Sequence, residues 1–192
     1  MGLDLGDPTT TIAQWDATLT RDRSAGLAQL LCGVVNGGAS VGFLPPLNRE
    51  AARSYWFDVA DNIEDGWAQL LVKTQGRGII GTVQLLEAQR ANAAHRAEVA
   101  KLMVHSLHRQ RGHGRALMLA VQSLARQRGR TTLVLDTRSG DPSERLYLAM
   151  GWHKSGEVPR YARSADGQLH ATSRYHHLLE GGSAPDRRVI AA

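Results

Sequence analysis

The chain has 192 residues and a formal net charge of +5, from 23 lysines and arginines against 18 aspartates and glutamates. With 42% hydrophobic residues it can bury the core of about one domain, which excludes a mainly disordered chain. Its single cysteine, Cys32, excludes an internal disulfide and a cysteine-based zinc site. The basic surplus favours an anionic partner: nucleic acid, an anionic membrane surface or a polyanionic cofactor.

Composition disfavours two of those three partners. Aromatic residues make up 5% of the chain, too few for a stacking surface that binds single-stranded nucleic acid. No stretch approaches the roughly 20 apolar residues that span a bilayer. Residues 1–8 show no basic region followed by an apolar run, so no export signal is expected. We therefore expect a cytoplasmic protein that binds neither nucleic acid nor membranes.

Two amphipathic helices are predicted in the first third of the chain. The first is capped by Ser24 and ends at Gly37-Gly38, with leucines and valine at helical spacing. The second is capped by Asn48. Its apolar stripe consists of Ala52, Tyr55, Trp56, Val59 and Ile63.

Three strands are predicted next, over residues 68–74, 79–86 and 97–104. The first two form a hairpin across the loop over residues 75–78. The third strand is apolar on both faces apart from Glu98 and Lys101, which is typical of a central strand.

The second half of the chain continues the alternation of helices and strands. The patterns predict a helix over about 114–128, a strand over 131–136, a short helix over 142–150 and two strands around the Asp166-Gly167 turn. Together with the first half, this order predicts an α/β fold with a mixed sheet. Residues 181–192 are expected to form a flexible C-terminal tail.

A basic, glycine-containing loop joins the strand over 97–104 to the following helix. Gly112 and Gly114 let the backbone approach a ligand, so that consecutive N–H groups and the helix N-terminus can face one anion. Three arginines surround the same point: Arg109, Arg111 and Arg115. The segment predicts a phosphate or pyrophosphate site, although a plain surface connection has the same local pattern.

Two nucleotide-binding motifs are absent from this loop. The chain has no G-x-x-x-x-G-K-[ST], and Leu117 stands where G-x-G-x-x-G needs its third glycine. Kinase-like and dinucleotide-binding functions are therefore excluded. His105, His108 and His113 lack a spacing that favours a metal, so no metal site is expected.

Two segments resemble the signatures of the GNAT superfamily of acyl-CoA N-acyltransferases. Residues 109–114, Arg-Gln-Arg-Gly-His-Gly, match R/Q-x-x-G-x-G/A between a strand and a helix, and residues 146–152 resemble L-Y-x-x-x-G-F/W. The resemblance covers about residues 67–179. It implies one domain over residues 1–180, with a mixed, mostly antiparallel central sheet flanked by about four helices.

A finer resemblance links the chain to the tabtoxin resistance protein subgroup, which acetylates a small amino-acid-like toxin. It is carried by segments 135–137, 143–147, 156–162 and 166–169.

The superfamily resemblance implies acetyl-CoA as the acetyl donor and assigns residues to it. Backbone groups of Met103 and Val104 would hold the pantetheine arm, and the Val104 amide would polarise the thioester carbonyl. Ser143, where many members carry Ala, belongs to the same set. The pyrophosphate would be held by backbone amides of Arg109, Gln110, Arg111, Gly112, His113, Gly114 and Arg115.

Three side chains are candidates for the chemistry. The superfamily resemblance makes Tyr147 the general acid that protonates the departing CoA thiolate. The finer resemblance makes Glu98 and Asp136 the candidates for the base that takes the proton of the amine through water. Each residue also has a structural alternative: Tyr147 could pack a helix face, Asp136 could cap a turn, and Glu98 could be a paired strand carboxylate. Contacts with the acceptor are expected from residues 43–47, Tyr55, Trp56 and the final strands.

The predicted function is therefore an N-acetyltransferase that acts on a small-molecule amine by direct attack, without an acyl-Cys32 intermediate. The amine would belong to an amino-acid-like toxin or antibiotic, or to a metabolite. A homodimer is a family-level expectation. Two alternatives stay open: a catalytically inactive CoA-binding sensor and a basic nucleic-acid-binding module.

Overall fold

The computed structural model describes residues 10–179, so the predicted tail over residues 181–192 lies outside the described part. The strands are β1 (Thr10–Trp15), β2 (Ala68–Gln75), β3 (Gly78–Glu87), β4 (Arg96–Val104), β5 (Thr132–Arg138), β6 (His153–Arg163) and β7 (Leu169–Leu178). The helices are α1 (Ala17–Asp22), α2 (Ser24–Asn36), α3 (Arg49–Glu64), α4 (His113–Gln127) and α5 (Ser143–Ala149).

The strands form one seven-stranded sheet in the order β1-β2-β3-β4-β5-β7-β6. Every neighbouring pair is antiparallel except β4 and β5, which are parallel. The predicted mixed, mostly antiparallel α/β fold is confirmed. The described part has five α-helices, one more than expected, because α1 was not predicted, and β1 was also missed.

Helix capping follows the sequence at one of the two predicted sites. Asn48 caps α3, and its side-chain oxygen accepts a hydrogen bond of 2.8 Å from the Ala51 amide. Ser24 is not a cap, because α2 already begins at that residue and Arg23 occupies the cap position without a side-chain bond.

Hydrophobic residues form a separate core on each face of the sheet. Alternate residues of β2 point in opposite directions: Leu71 packs on the α4 side, while Leu70 and Val72 pack on the side of α2 and α3. Leu117 of α4 and Trp56 of α3 are both fully buried in these cores. The sheet is therefore the middle layer of three.

The parallel pair of β4 and β5 separates after a short contact. The paired residues end at Glu98 and Val134, although β4 continues to Val104 and β5 to Arg138. Beyond this point the facing edges of β4 and β5 do not pair with each other through backbone hydrogen bonds. The separation opens a cleft within the sheet.

A β-bulge in β4 changes the direction of its side chains. The pairing with β3 shifts there, from Gln84 opposite Ala100 to Thr82 opposite Met103, and Lys101 has a positive φ of 50°. Val99 before the bulge packs on the α4 side, whereas Met103 after it packs on the side of α2 and α3. In a regular strand, residues four apart share one face.

Candidate active site

The cleft between β4 and β5 is a cavity of about 630 Å³. One wall is the segment over residues 37–42 that follows α2, and the floor is β4 from Glu98 to Val104. The opposite wall comes from β5, α5 and the last two strands. Its lining residues include Asp136, Thr137, Arg138, Asp141, Ser143, Tyr147, Tyr161, Ala162 and Thr172.

The two candidate carboxylates lie on the same side of the sheet. Glu98 pairs with Val134, and Asp136 follows two residues later, so the alternation of side chains turns both acids to one face. Both are exposed to the open cleft. The surrounding protein nevertheless raises the pKa of the Glu98 carboxyl by burial, and the charge of Asp136 raises it further. Glu98 is therefore a stronger base than an ordinary glutamate.

Tyr147 reaches the cleft from α5 and is almost fully buried. Burial raises the pKa of its phenol to about 12, although a hydrogen bond with Ser143 opposes the rise. The Ser143 hydroxyl also lies 3.0 Å from the Thr137 hydroxyl. Ser143 and Tyr147 are four residues apart on one helix face. Three hydroxyl groups thus line this wall, and the phenol stays protonated at neutral pH.

The loop between β4 and α4 adjoins the other end of the cleft. Gly112 has a φ of 80° and occupies the cap position of α4 without a side-chain bond to the first turn, which contains no acidic residue. The first amides of a helix have no intrahelical acceptor. Arg109 lines the cleft, and its Nε donates a hydrogen bond of 3.2 Å to the Val104 carbonyl. This end of the cleft is therefore positive and rich in backbone donors.

The structure brings most of the predicted site residues to one place. Seven of them line the cleft: Glu98, Met103, Val104, Arg109, Asp136, Ser143 and Tyr147. The remaining six lie in the adjoining loop and at the start of α4: Gln110, Arg111, Gly112, His113, Gly114 and Arg115.

One expectation about the acceptor side is wrong. Trp56 is fully buried in the core, so it cannot contact a ligand in the cleft. The residues that line the cleft on this side are those of the segment over residues 37–42, and the predicted contact of the acceptor with the loop over 43–47 stays a prediction. Tyr55 packs edge-on against Phe43 and accepts a hydrogen bond of 2.9 Å from Gln84. The final strands do line the cleft, through residues such as Tyr161 and Thr172.

Sequence reasoning missed Lys101 as a lining residue. It singled out this lysine only as a polar residue in an apolar strand. The bulge that turns its side chain toward the cleft leaves no signal in the residue types.

The described residues, 10–179, contain neither a candidate metal site nor a helix that could span a membrane. No group of three or more His, Cys, Asp or Glu side chains in this range could hold a metal ion. Within the same range, every helix is too short or too polar to cross a bilayer.

The sheet contains one parallel pair of strands that separates, and a glycine-containing loop leads into a helix beside the opening. These features are typical of the class of acetyltransferases that the sequence signatures indicate. The acetyltransferase (GNAT) family profile matches residues 40–152, more than half of the chain. The chain belongs to this family.

Solved structures share the fold at low sequence identity. An N-acetyltransferase from Staphylococcus aureus Mu50 superposes with a TM-score of 0.76 at 13% identity, covering 90% of this chain and 99% of its own. The Salmonella typhimurium protein yncA, solved with its cofactor acetyl-CoA, superposes with a TM-score of 0.75 at 18% identity, covering 93% of this chain and 98% of its own. A ribosomal-protein-alanine N-acetyltransferase from Brucella melitensis superposes with a TM-score of 0.73 at 18% identity, covering 88% of this chain and 99% of its own.

A curated relative matches part of the sequence. N-acetyltransferase 8B from Rattus norvegicus is 31% identical over 97 residues. The match spans 50% of this chain and 44% of that protein. The finer resemblance to the tabtoxin resistance protein subgroup stays a prediction.

Proposed function

We propose that the protein transfers the acetyl group of acetyl-CoA to the amine of a small molecule by direct attack. One observation carries the proposal: the cleft that opens between β4 and β5 brings a buried phenol, two carboxylates and an unpaired strand edge together. Acyl transfer to an amine needs a base and an acid, because the amine must lose a proton and the leaving thiolate must gain one.

The residues present fit acetyl-CoA. The edge of β4 beyond Glu98 offers backbone groups at Met103 and Val104 to the amides of a pantetheine arm. The start of α4 and the arginine-rich loop offer backbone donors and positive charge to a pyrophosphate. When bound, acetyl-CoA would supply the activated acetyl group.

Tyr147 is suited to the role of general acid. Its raised pKa keeps the phenol protonated over the physiological range, so a proton is available at every turnover. The raised pKa also makes the phenol a weaker acid than a thiol, whose pKa is about 8.5, so the hydrogen bond with Ser143, which lowers the phenol pKa, favours the proton transfer. The hydrogen bond with Ser143 fixes the position of the phenol oxygen.

Glu98 and Asp136 are suited to the role of base. An alkylammonium has a pKa of about 10 and cannot attack until it loses a proton. Two carboxylates in one cleft attract that cation, and the raised pKa of the Glu98 carboxyl strengthens Glu98 as an acceptor of the proton. Because both acids are exposed to the open cleft, the proton can travel through water.

The size and composition of the cleft support a small acceptor and a one-step transfer. A cavity of about 630 Å³ must hold both the end of the pantetheine arm and the acceptor. Cys32 lies on α2 and is not among the lining residues, which argues against a cysteine acyl-enzyme.

A thiol-release assay tests this function. Acetyl-CoA is incubated with the full chain and panels of amino acids, aminoglycosides, polyamines and peptides, and mass spectrometry identifies any N-acetylated product. We expect equal amounts of CoA and acetylated amine. Binding of acetyl-CoA in a calorimeter without thiol release would instead indicate a sensor. Salt-dependent nucleic-acid binding without acetyl-CoA binding would indicate a nucleic-acid module.

A further inference from the structure

Lys101 presents a charged amine to the acceptor side of the cleft. Its Nζ lies 6.0 Å from the ring centroid of Phe43 and 5.8 Å from that of Tyr55, at distances typical of cation–π contacts. It also approaches the wall segment, since a side-chain carbon at Gly42 would lie 3.4 Å from it. These contacts hold the ammonium in one place between the β4 floor and the wall.

The Lys101 ammonium has no anionic partner within the described residues. No carboxylate of residues 10–179 lies within 4.0 Å of Nζ, and no hydrogen bond from Nζ is formed in that range. Burial lowers the pKa of Lys101, while Asp136 and Glu98 act on it from farther away in the opposite direction. A half-buried charge without a partner is costly, so the site is more favourable when an anion occupies it.

The bulge in β4 places this charge beside the candidate base. Glu98 and Lys101 are three residues apart, a spacing that puts side chains on opposite faces of a regular strand. The shift in pairing after Ala100 turns Lys101 to the face of Glu98. The cleft therefore presents carboxylates and an ammonium to the same ligand.

We propose that Lys101 binds an anionic group of the acceptor, so that the preferred substrate is an amine that also carries a carboxylate or a similar acid. The amine would lie toward Glu98 and Asp136, and the acid toward Nζ between the wall segment and the aromatic pair. This inference rests on the proposed function, because it names the class of acceptor for the same site.

Matched pairs of acceptors test the proposal. Leucine is compared with 3-methylbutylamine, and phenylalanine with 2-phenylethylamine, because each pair differs by one carboxylate. Rates are expressed per concentration of neutral amine, since the neighbouring carboxylate also changes the pKa of the amine. With the unmodified protein we expect kcat/KM to favour the acid by at least about tenfold, the size of one hydrogen bond to a charged group. Lys101→Met should abolish this preference, and the KM for acetyl-CoA should stay the same.

Lys154→Met is the matched control. Lys154 is exposed on β6, pairs with Glu157 at 2.8 Å and does not line the cleft, so the preference should persist in this variant. Thermal unfolding of both variants shows whether each one folds. A preference that survives in Lys101→Met, or a preference for the amines without a carboxylate, would overturn the proposal.

A second measurement does not depend on turnover. The Kd of each acceptor for the complex of the protein with CoA is measured by calorimetric titration, for the unmodified protein and for Lys101→Met. We expect leucine and phenylalanine to bind the unmodified protein at least about tenfold more tightly than the two carboxylate-free amines, and Lys101→Met to remove this difference. Such binding without any thiol release would refute the acetyltransferase function and support the anion site. Thiol release without a difference in Kd or kcat/KM within the pairs would refute the anion site and support the acetyltransferase function.

Discussion

The phosphate-binding role of the loop before α4 can be tested with one substituted position. Gly112 is exposed, has a φ of 80°, and has no atom within 4 Å of the place where a side chain would begin. Aspartate and asparagine tolerate this left-handed conformation better than other residues. Gly112→Asp and Gly112→Asn therefore impose nearly the same backbone cost and the same bulk, and they differ by one negative charge.

The size of the difference follows from Coulomb's law. Repulsion between a carboxylate and a phosphate about 6 Å apart weakens binding by about 0.7 kcal/mol in a medium with the dielectric constant of water. The two phosphates of a pyrophosphate double this loss of binding free energy to about 1.4 kcal/mol. At 10 mM ionic strength the Debye length is about 30 Å, which leaves a roughly five- to tenfold weaker Kd for the Asp variant. In 1 M salt the Debye length is about 3 Å and the difference should vanish.

Calorimetric titration of both variants with acetyl-CoA measures this difference. Loss of fold does not explain a weaker Asp variant, because a carboxylate at the start of a helix is favourable for the helix itself. Equal affinities of the Asp and Asn variants at low salt would show that the phosphates lie elsewhere. A difference that persists in 1 M salt would show that it is not electrostatic.

Four further predictions concern the chemistry of the site and the stability of the protein. Tyr147→Phe should lower kcat by about two orders of magnitude with little change in the Kd of acetyl-CoA, and unchanged turnover would remove its role as the acid. Because a base acts only when it is deprotonated, kcat/KM should increase as pH rises through the elevated pKa of Glu98, and Glu98→Gln should remove that ascending limb; a limb that stays in the variant would belong to another group. Gly81→Ala should destabilise the protein by about 1–3 kcal/mol, because its new carbon would lie 2.7 Å from the Met103 carbonyl. Gly33→Ala, with open space on α2, should stabilise it by about 0.5–1 kcal/mol. Urea denaturation compares the two glycine variants, and equal midpoints would contradict the packing argument.

Elements that bury a continuous apolar pattern were predicted from the sequence. β2 buries the run Leu70, Leu71 and Val72, and the apolar stripe of α4 includes the fully buried Leu117 and Val121. Burial demands these patterns, so they mark the elements reliably. The meeting of Glu98 and Asp136 was also predictable, because acids on neighbouring strands at the same level face one cleft.

The first two elements left a weaker pattern. β1 is an edge strand of six residues, of which only Trp15 is buried, so its alternation is faint. α1 is also six residues long and lacks a full apolar stripe. Its one local signal is Asp16, whose side chain accepts a hydrogen bond of 2.7 Å from the Leu19 amide. A capping residue before so short a segment does not by itself predict a helix.

The two ends of the cleft differ in how far sequence can identify them. The proposed phosphate side includes a left-handed backbone conformation that favours glycine, so Gly112 is a sequence signal for it. The acceptor side depends on register. One extra residue in β4 moves Lys101 from the face of α4 to the face of Glu98, and no residue type demands that insertion. A sequence motif therefore identifies the donor of the acetyl group sooner than its acceptor. The charge that we propose selects the acceptor can be placed in the cleft only when the pairing of β3 with β4 is known.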